Sequence, residues 1–269
     1  MGIAFSGNAL VIRTDSEWVA QTAAFIFRHH LHPVTDESCQ AVDIVSHERN
    51  GSFQLFVDGQ LAEIALSQAE LAVTVMQFAQ RQLIFKEPRY AMLHAAVLAR
   101  NGCGFLFPAA AGSGKTTLTA WLLGHGYGLL SDELASIDED GTMDGFTRPL
   151  NIKPGSRPLL EGFEWMRGPI AESRLSCGVT LIPWERQPAE GLSASAIIFP
   201  SFVAQSSFKL EALSSGLCAK ELMGSLLNAR NLPKHGLSFA TRFAKAHRGY
   251  RITYSNLEDV SSWMNRLTP

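Results

Sequence analysis

The residues best suited to chemistry form one run, Ala109-Ala110-Ala111-Gly112-Ser113-Gly114-Lys115-Thr116. It follows the pattern G-x-x-x-x-G-K-[ST], with alanine in place of the first glycine. Small residues let a backbone wrap closely around an anion, with successive N–H groups turned inward. Lys115 supplies a positive charge, and a helix opening near Gly114 would add the positive end of its dipole. The chemistry this predicts is the binding of nucleotide phosphates, with ATP and Mg²⁺ as the expected cofactors. Ala110, Ala111, Gly112, Ser113, Gly114, Lys115, Thr116 and Thr117 are the expected phosphate contacts, and the Thr116 hydroxyl is an expected Mg²⁺ ligand. Alanine at 109 would be strained if that position required a positive φ.

A phosphate loop does not by itself name a reaction. Beyond its helix comes Leu129-Leu130-Ser131-Asp132-Glu133, an apolar run ending in two acids. Such a run reads as a strand whose tip reaches the phosphate site, as in open parallel sheets. An acid placed there can hold Mg²⁺ or take the proton of an attacking hydroxyl. The plainer alternative is that Asp132 or Glu133 caps the segment that follows. His94 lies upstream, where nothing local assigns it a role beyond a satisfied, partly buried side chain. Arg148 and Lys153 could hold phosphate or acceptor charge, or form a solvated loop pair. Arg242, Lys245, His247, Arg248 and Arg251 read as a solvated helix face, with a phosphate clamp as the alternative. His29, His30 and His32 read as cations at a helix end rather than as metal ligands.

The elements that must position these residues follow from periodicity and turn chemistry. An N-terminal strand is expected over Ile3 to Arg13, with Ala9 to Arg13 its strand-like run, and Ser16 should cap a helix from Glu17 to His30. Two β-rich runs, Ala41 to Ser46 and Phe53 to Val57, flank the hairpin signal Asn50-Gly51. Ser67 and Glu70 fit a capping box for a helix reaching about Phe85, which ends before Pro88. From Ala95 to Phe107, two apolar runs are split by Arg100-Asn101-Gly102, a tight-turn signal. Cys103 to Phe107 is short and almost wholly apolar, as a strand buried on both faces would be. Later elements are a buried strand at Ser195 to Phe199, a helix at Leu217 to Asn228, a strand at Tyr250 to Tyr254 and a closing helix from Leu257 to Leu267. The expected division is a small α/β domain over 1–88 and a phosphate-loop domain over 89–269.

Composition narrows the function classes. The chain has 269 residues, of which 46% are apolar and 18% charged, so it has the material for a folded core. Lys and Arg number 23 against 25 Asp and Glu, which argues against general nucleic-acid binding. No apolar run reaches the length of a membrane span, so no membrane association is expected. Cys39, Cys103, Cys177 and Cys218 are far apart and form no metal pair, which fits reduced thiols in a cytoplasmic protein.

The stretch from Leu93 to Ile137 resembles the catalytic domain of the HPr kinase/phosphorylase family. Leu93-His94-Ala95 opens a strand pair before the phosphate loop. His125-Gly126-Tyr127-Gly128-Leu129-Leu130-Ser131-Asp132-Glu133 is similar to the family's R-G-H-x-L-V-A-D-D segment. Arg148-Pro149-Leu150-Asn151-Ile152-Lys153 looks like the R-P-x-x-[IL]-K element of HPr-kinase-related kinases of the A type, which accompany peptide-modification systems. The resemblance implies an α/β phosphate-loop domain related to phosphoenolpyruvate carboxykinase, with a small N-terminal α/β domain. It implies transfer of the γ-phosphoryl group of ATP to a serine of a peptide or protein, by a homo-oligomer. Asp132 then matches the general base, Glu133 the second, metal-assisting acid, Lys115 the phosphate lysine, and His94 a histidine near the transferred phosphate. The family's second signature and its P-G-R-N stretch have no clear counterpart, with Glu161 and Glu164 as unaligned stand-ins, so the reverse phosphorylase reaction is not expected. Two other classes fit the loop: a small-molecule kinase, with a compact pocket beside Asp132, and a nucleotide-binding module without turnover.

Overall fold

Short β-rich runs closed by turn residues give the chain its first elements. The computed structural model describes residues 1–33, 40–47, 51–85, 89–110, 112–166, 173–174, 180–185 and 192–267. Among positions singled out above, Cys39, Asn50, Pro88, Ala111 and Cys177 fall outside them. The architecture is mixed α/β, in two units. One comprises Met1–Glu87 with Ala171–Leu181, the other Pro88–Ile170 with Ile182–Pro269. The second part of the chain is thus interrupted by a segment that joins the first, which no composition shift signals.

The first unit contains β1 (Gly2–Phe5), β2 (Asn8–Thr14), α1 (Glu17–Ile26), β3 (Leu31–His32), β4 (Gln40–His47), β5 (Ser52–Val57), β6 (Gln60–Ala65) and α2 (Gln68–Phe85). They build a six-stranded sheet in the order β3-β1-β2-β4-β5-β6. The single strand expected within Ile3 to Arg13 is a hairpin instead. Ser6 and Gly7 both take positive φ, 47° and 78°, which reverses the chain after Phe5. The Ser16 hydroxyl caps α1 by accepting the Val19 N–H. The helix ends at Ile26 rather than His30, because the residues beyond it enter β3, paired with β1. Ser67 accepts the Glu70 N–H, and the Glu70 carboxylate reaches back to the Leu66 N–H, so the capping box forms at the start of α2. Strand β6 was not expected, although Asp58-Gly59 marks its turn with φ of 49° and 80°.

The second unit contains β7 (Ala91–Arg100), β8 (Cys103–Pro108), α3 (Lys115–Gly124), β9 (Gly128–Ser131), β10 (Leu134–Ile137), β11 (Met143–Gly145), β12 (Leu150–Ile152) and the single turn α4 (Arg157–Leu160). The short pair β13 (Ser173–Arg174) and β14 (Thr180–Ile182) comes next, and the unit resumes with β15 (Ala194–Phe202), β16 (Lys209–Leu213), α5 (Ser215–Ser225), α6 (Leu237–Ala246), β17 (Gly249–Tyr254) and α7 (Leu257–Met264). Its main sheet runs β11-β10-β7-β8-β15-β17-β16, with β9 also on β7. The sheet is mixed. β8, β15 and β17 are parallel, as the apolar run at Cys103 to Phe107 predicts, while β7 is antiparallel to β8, β9 and β10.

One edge of β7 serves two strands in succession. β10 pairs with Ala91–His94, and β9 pairs with Val97–Ala99. The chain passes from one to the other through Asp132-Glu133, opposite the middle of β7. Buried side chains cover both faces of this sheet: Phe105, Phe107, Leu122 and Ile198 on one, Leu106, Leu130, Ile197 and Phe243 on the other. No helix among the described residues is long and apolar enough to cross a membrane.

Gly145 permits a close crossing at this break. A Cβ there would lie 2.6 Å from the Leu130 carbonyl carbon and 2.7 Å from the Ser131 Cβ. Gly145→Ala must therefore displace backbone, and overpacking of this kind costs about 1–3 kcal/mol. Thermal unfolding should show the loss, while Gly216→Ala, with open space around its added carbon, should leave stability unchanged or slightly raised.

Candidate active site

The loop lies between a buried strand and a helix. β8 ends at Pro108, Gly112 and Gly114 take φ of 86° and 87°, and Gly114 is the N-cap of α3. Ala109 is not among the residues with positive φ, so alanine carries no strain in the place of the first glycine. Its N–H donates to the His94 carbonyl, tying the loop to β7. The tips of β15 and β17 form a floor. The Phe202 N–H donates to the Ser113 carbonyl at 3.0 Å, and the Val203 N–H to the Tyr254 carbonyl at 2.9 Å. A Cβ on Gly114 would come within 2.9 Å of the Tyr254 hydroxyl and 3.0 Å of the Phe202 Cβ. Glycine is needed here both for its backbone conformation and for lack of space.

The acids are aimed by Ser131. Its hydroxyl accepts the N–H groups of Glu133 and Leu134 and donates to the Phe146 carbonyl. The Glu133 carbonyl accepts the Ala95 N–H, and Leu134 pairs with His94. These bonds turn the chain sharply between β9 and β10 and bring both acids to the start of α3. Lys115 Nζ donates to the Asp132 carbonyl and stands 3.7 Å from Glu133 Oε2. His94 Nε2 is 3.2 Å from Glu133 Oε1. Arg148 places one nitrogen 3.1 Å from Glu133 Oε2, and its Nε 3.8 Å from Asp132 Oδ1.

Burial divides the two carboxylates. Asp132 is 1% exposed, and neither of its oxygens has a hydrogen-bond partner. Removal from water raises its pKa, against the pull of Arg148 and Lys115. Burial would raise Glu133 as well, but the His94 hydrogen bond and the charges of Arg148 and Lys115 outweigh it and hold its pKa at about 2. Burial lowers the pKa of Lys115, against the opposing pull of both acids. Two adjacent acids thus differ in character: one holds its proton more weakly than usual, and the other has a raised affinity for a proton.

His94, Lys115, Asp132, Glu133 and Arg148 therefore meet at one point, where Lys115 opens α3 directly after the loop. Ala111 is outside the described residues. The Thr117 hydroxyl is shared with Ser156 at 2.5 Å. Lys153 is exposed and pairs with neither Asp132 nor Glu133, and Glu161 and Glu164 are exposed as well. Arg251 is committed to Glu211 and Glu221. Sequence reasoning missed the aiming role of Ser131 and the floor made by Phe202 and Tyr254. Ser131 breaks an apolar run just before the acids, which was the available signal; Phe202 and Tyr254 gave none, since only folding brings strand ends together. Compared with protein-family models and with curated proteins, the chain matches none.

Such a cluster can hold an anion on the loop, place a cationic lysine beside it and offer a proton-accepting carboxylate within a few ångströms. Its electrostatics also predict a trade-off with stability. Because the folded-state pKa of Asp132 is raised, its contribution is favourable below the ordinary value of 3.8 and is lost as the pH rises through the folded value. Ionised Asp132 thus costs stability near neutrality. Asp132→Asn, which leaves Arg148 paired with Glu133, should raise the melting temperature at pH 7.5; each 1 kcal/mol corresponds to about 2–4 °C in a chain of this size. The gain should vanish below pH 3.8 in melts recorded as a function of pH. Glu133 has the opposite sign: its stabilisation is present above 4.5 and is lost as the pH falls toward about 2.

Proposed function

We propose that this protein is an ATP- and Mg²⁺-dependent kinase that transfers the γ-phosphoryl group to the hydroxyl of a serine in a peptide or protein. The observation that carries the reading is the buried Asp132 carboxylate, with no hydrogen-bond partner, one residue from an ionised Glu133 and beside the lysine of a phosphate loop. A buried carboxylate without a partner is costly and calls for an explanation. A general base with a raised pKa supplies one, because it binds a proton more readily than an ordinary aspartate.

In this reading the triphosphate lies along Ala110 to Thr116. Lys115 turns from the Asp132 backbone carbonyl to the β- and γ-phosphate oxygens. The serine oxygen then attacks the γ-phosphorus; its bond to phosphorus forms as the bond to the bridging β–γ oxygen breaks. The serine proton passes to Asp132, and ADP leaves. Arg148 and His94 hold Glu133 in place through the step.

The residues present suit Mg²⁺. Glu133 and the Thr116 hydroxyl are hard oxygen donors, and Mg²⁺ is commonly held by one or two carboxylates together with substrate phosphates rather than by a full protein cage. Among the described residues no group of three potential His, Cys, Asp or Glu ligands is assembled. When bound, Mg²⁺ neutralises charge on the β- and γ-oxygens. The HPr-kinase-like fold and the peptide or protein acceptor rest on the resemblance of His94, Ser131-Asp132-Glu133 and Arg148 to Lys153.

The test is incubation of purified protein with γ-labelled ATP, Mg²⁺ and host-cell extract. Label should appear on serine, and Asp132→Asn should reduce transfer by about 10²–10⁴-fold while ATP still binds. Transfer that survives Asp132→Asn would remove the assigned base. Label on a metabolite would replace the protein acceptor with a small molecule.

A further inference from the structure

A cavity of about 380 Å³ opens against the loop and α3. Gly114, Thr117 and Trp121 line it on the helix side, and Leu159, Phe202 and Tyr254 help to close it. Its size is that of a small-molecule pocket, on the order of 300–1,000 Å³. His94, Asp132, Glu133 and Arg148 do not line it. An acceptor hydroxyl has to reach Asp132, so the cavity is not the acceptor's place. Gly114 and Thr117 belong both to the cavity and to the loop segment, so an occupant would be continuous with phosphates bound there.

The walls suit a flat, largely apolar group. The Trp121 indole is fixed by its Nε1–H donating to the Ser261 hydroxyl at 2.6 Å. Phe202 and Tyr254 meet edge to face, with centroids 5.9 Å apart. The polar side chains at the rim are engaged elsewhere. Thr117 and Ser156 share a hydrogen bond, Ser255 donates to the Ser206 carbonyl, and Asn256 Oδ1 accepts the Glu258 N–H as the cap of α7. Among the lining side chains the Tyr254 hydroxyl is left without a hydrogen-bond partner, and because it can turn to donate or to accept it does not by itself separate one purine from the other.

We propose that this cavity receives the base and ribose of the donor nucleotide and reads the base by shape, accepting adenine and guanine alike. The assignment rests on the phosphate-loop reading above and goes beyond it by locating the nucleoside and its selectivity. Phe202 links the two parts, since its ring lines the cavity and its N–H holds the Ser113 carbonyl. An occupied cavity thereby steadies the loop.

Binding of ATP, GTP and inorganic tripolyphosphate to the full chain, measured by calorimetry with Mg²⁺ present, tests the proposal. ATP and GTP should agree within about tenfold, and each should bind at least about tenfold more tightly than tripolyphosphate, since shape-reading pockets discriminate weakly. Leu159 is 52% exposed, so Leu159→Trp should block the cavity without disturbing the core. It should abolish the advantage of the nucleotides and leave tripolyphosphate binding unchanged. Trp121→Phe, which keeps an apolar wall, should remove the ATP-dependent change in tryptophan fluorescence. If tripolyphosphate binds the wild type but nucleotides show no advantage, or the advantage survives Leu159→Trp, the cavity assignment falls alone. An ATP preference over GTP beyond about a hundredfold overturns reading by shape. If neither nucleotide nor tripolyphosphate binds, the phosphate-loop reading falls and this assignment with it.

Discussion

Charges buried together at the start of α3 set the terms for the rest of the second unit. Lys115, Asp132 and Arg148 are each at most 6% exposed, and Glu133 stands against all three. Taking such groups out of water costs several kcal/mol per ion unless they meet opposite charges and hydrogen bonds with good geometry. Glu133 meets that condition, held by His94, Arg148 and Lys115. Asp132 does not: Arg148 Nε stands 3.8 Å away, and neither that nitrogen nor either Asp132 carboxylate oxygen has a hydrogen-bond partner. Buried unsatisfied groups in native folds are few, and a catalytic role is one of the accepted explanations for them.

The sheet is arranged so that this cluster can exist. Because β9 and β10 share one edge of β7, the acids between them face the middle of that strand, where His94 lies. Ser131 absorbs the reversal by accepting two N–H groups that no strand partner can satisfy there. Gly145 lets β11 cross close behind the turn. On the other side of the loop, Phe202 and Tyr254 set its height through one backbone bond and one steric limit at Gly114. The loop and the acids are thus supported by different strands and brought together by α3, whose first residue is Lys115.

Much of the local structure was legible because its causes are local. The Ser16 cap, the Ser67–Glu70 capping box and the Asn101-Gly102 turn depend on side chains a few residues apart. Most of the misread elements had more distant causes or weaker turn signals. The Ser6-Gly7 hairpin lacks a strong turn pair, so the first strands merged into one. Helix α1 stops at Ile26 because the following residues are recruited by β1. Strand β6 follows an Asp-Gly turn that was open to reading, and β10 and β11 owe their pairing to partners that no local pattern marks, β10 on β7 and β11 on β10.

For the candidate site the division follows the same physics. Spacing made the loop legible, because small residues, a lysine and a threonine in fixed order mark a strand-to-helix turn, although its seat on Phe202 and Tyr254 came from distant strands. Spacing also indicated that Asp132 and Glu133 should matter together. Only the tertiary structure decided that they differ, since a pKa depends on how much water and which charges surround a group, and those come from β7, β10 and the segment carrying Arg148. It alone assigned His94 to Glu133, left Lys153 in solvent and opened a cavity between the helix and the ends of two strands far apart in the chain. A cavity is a property of packing across long sequence separations, and no run of neighbouring residues encodes it.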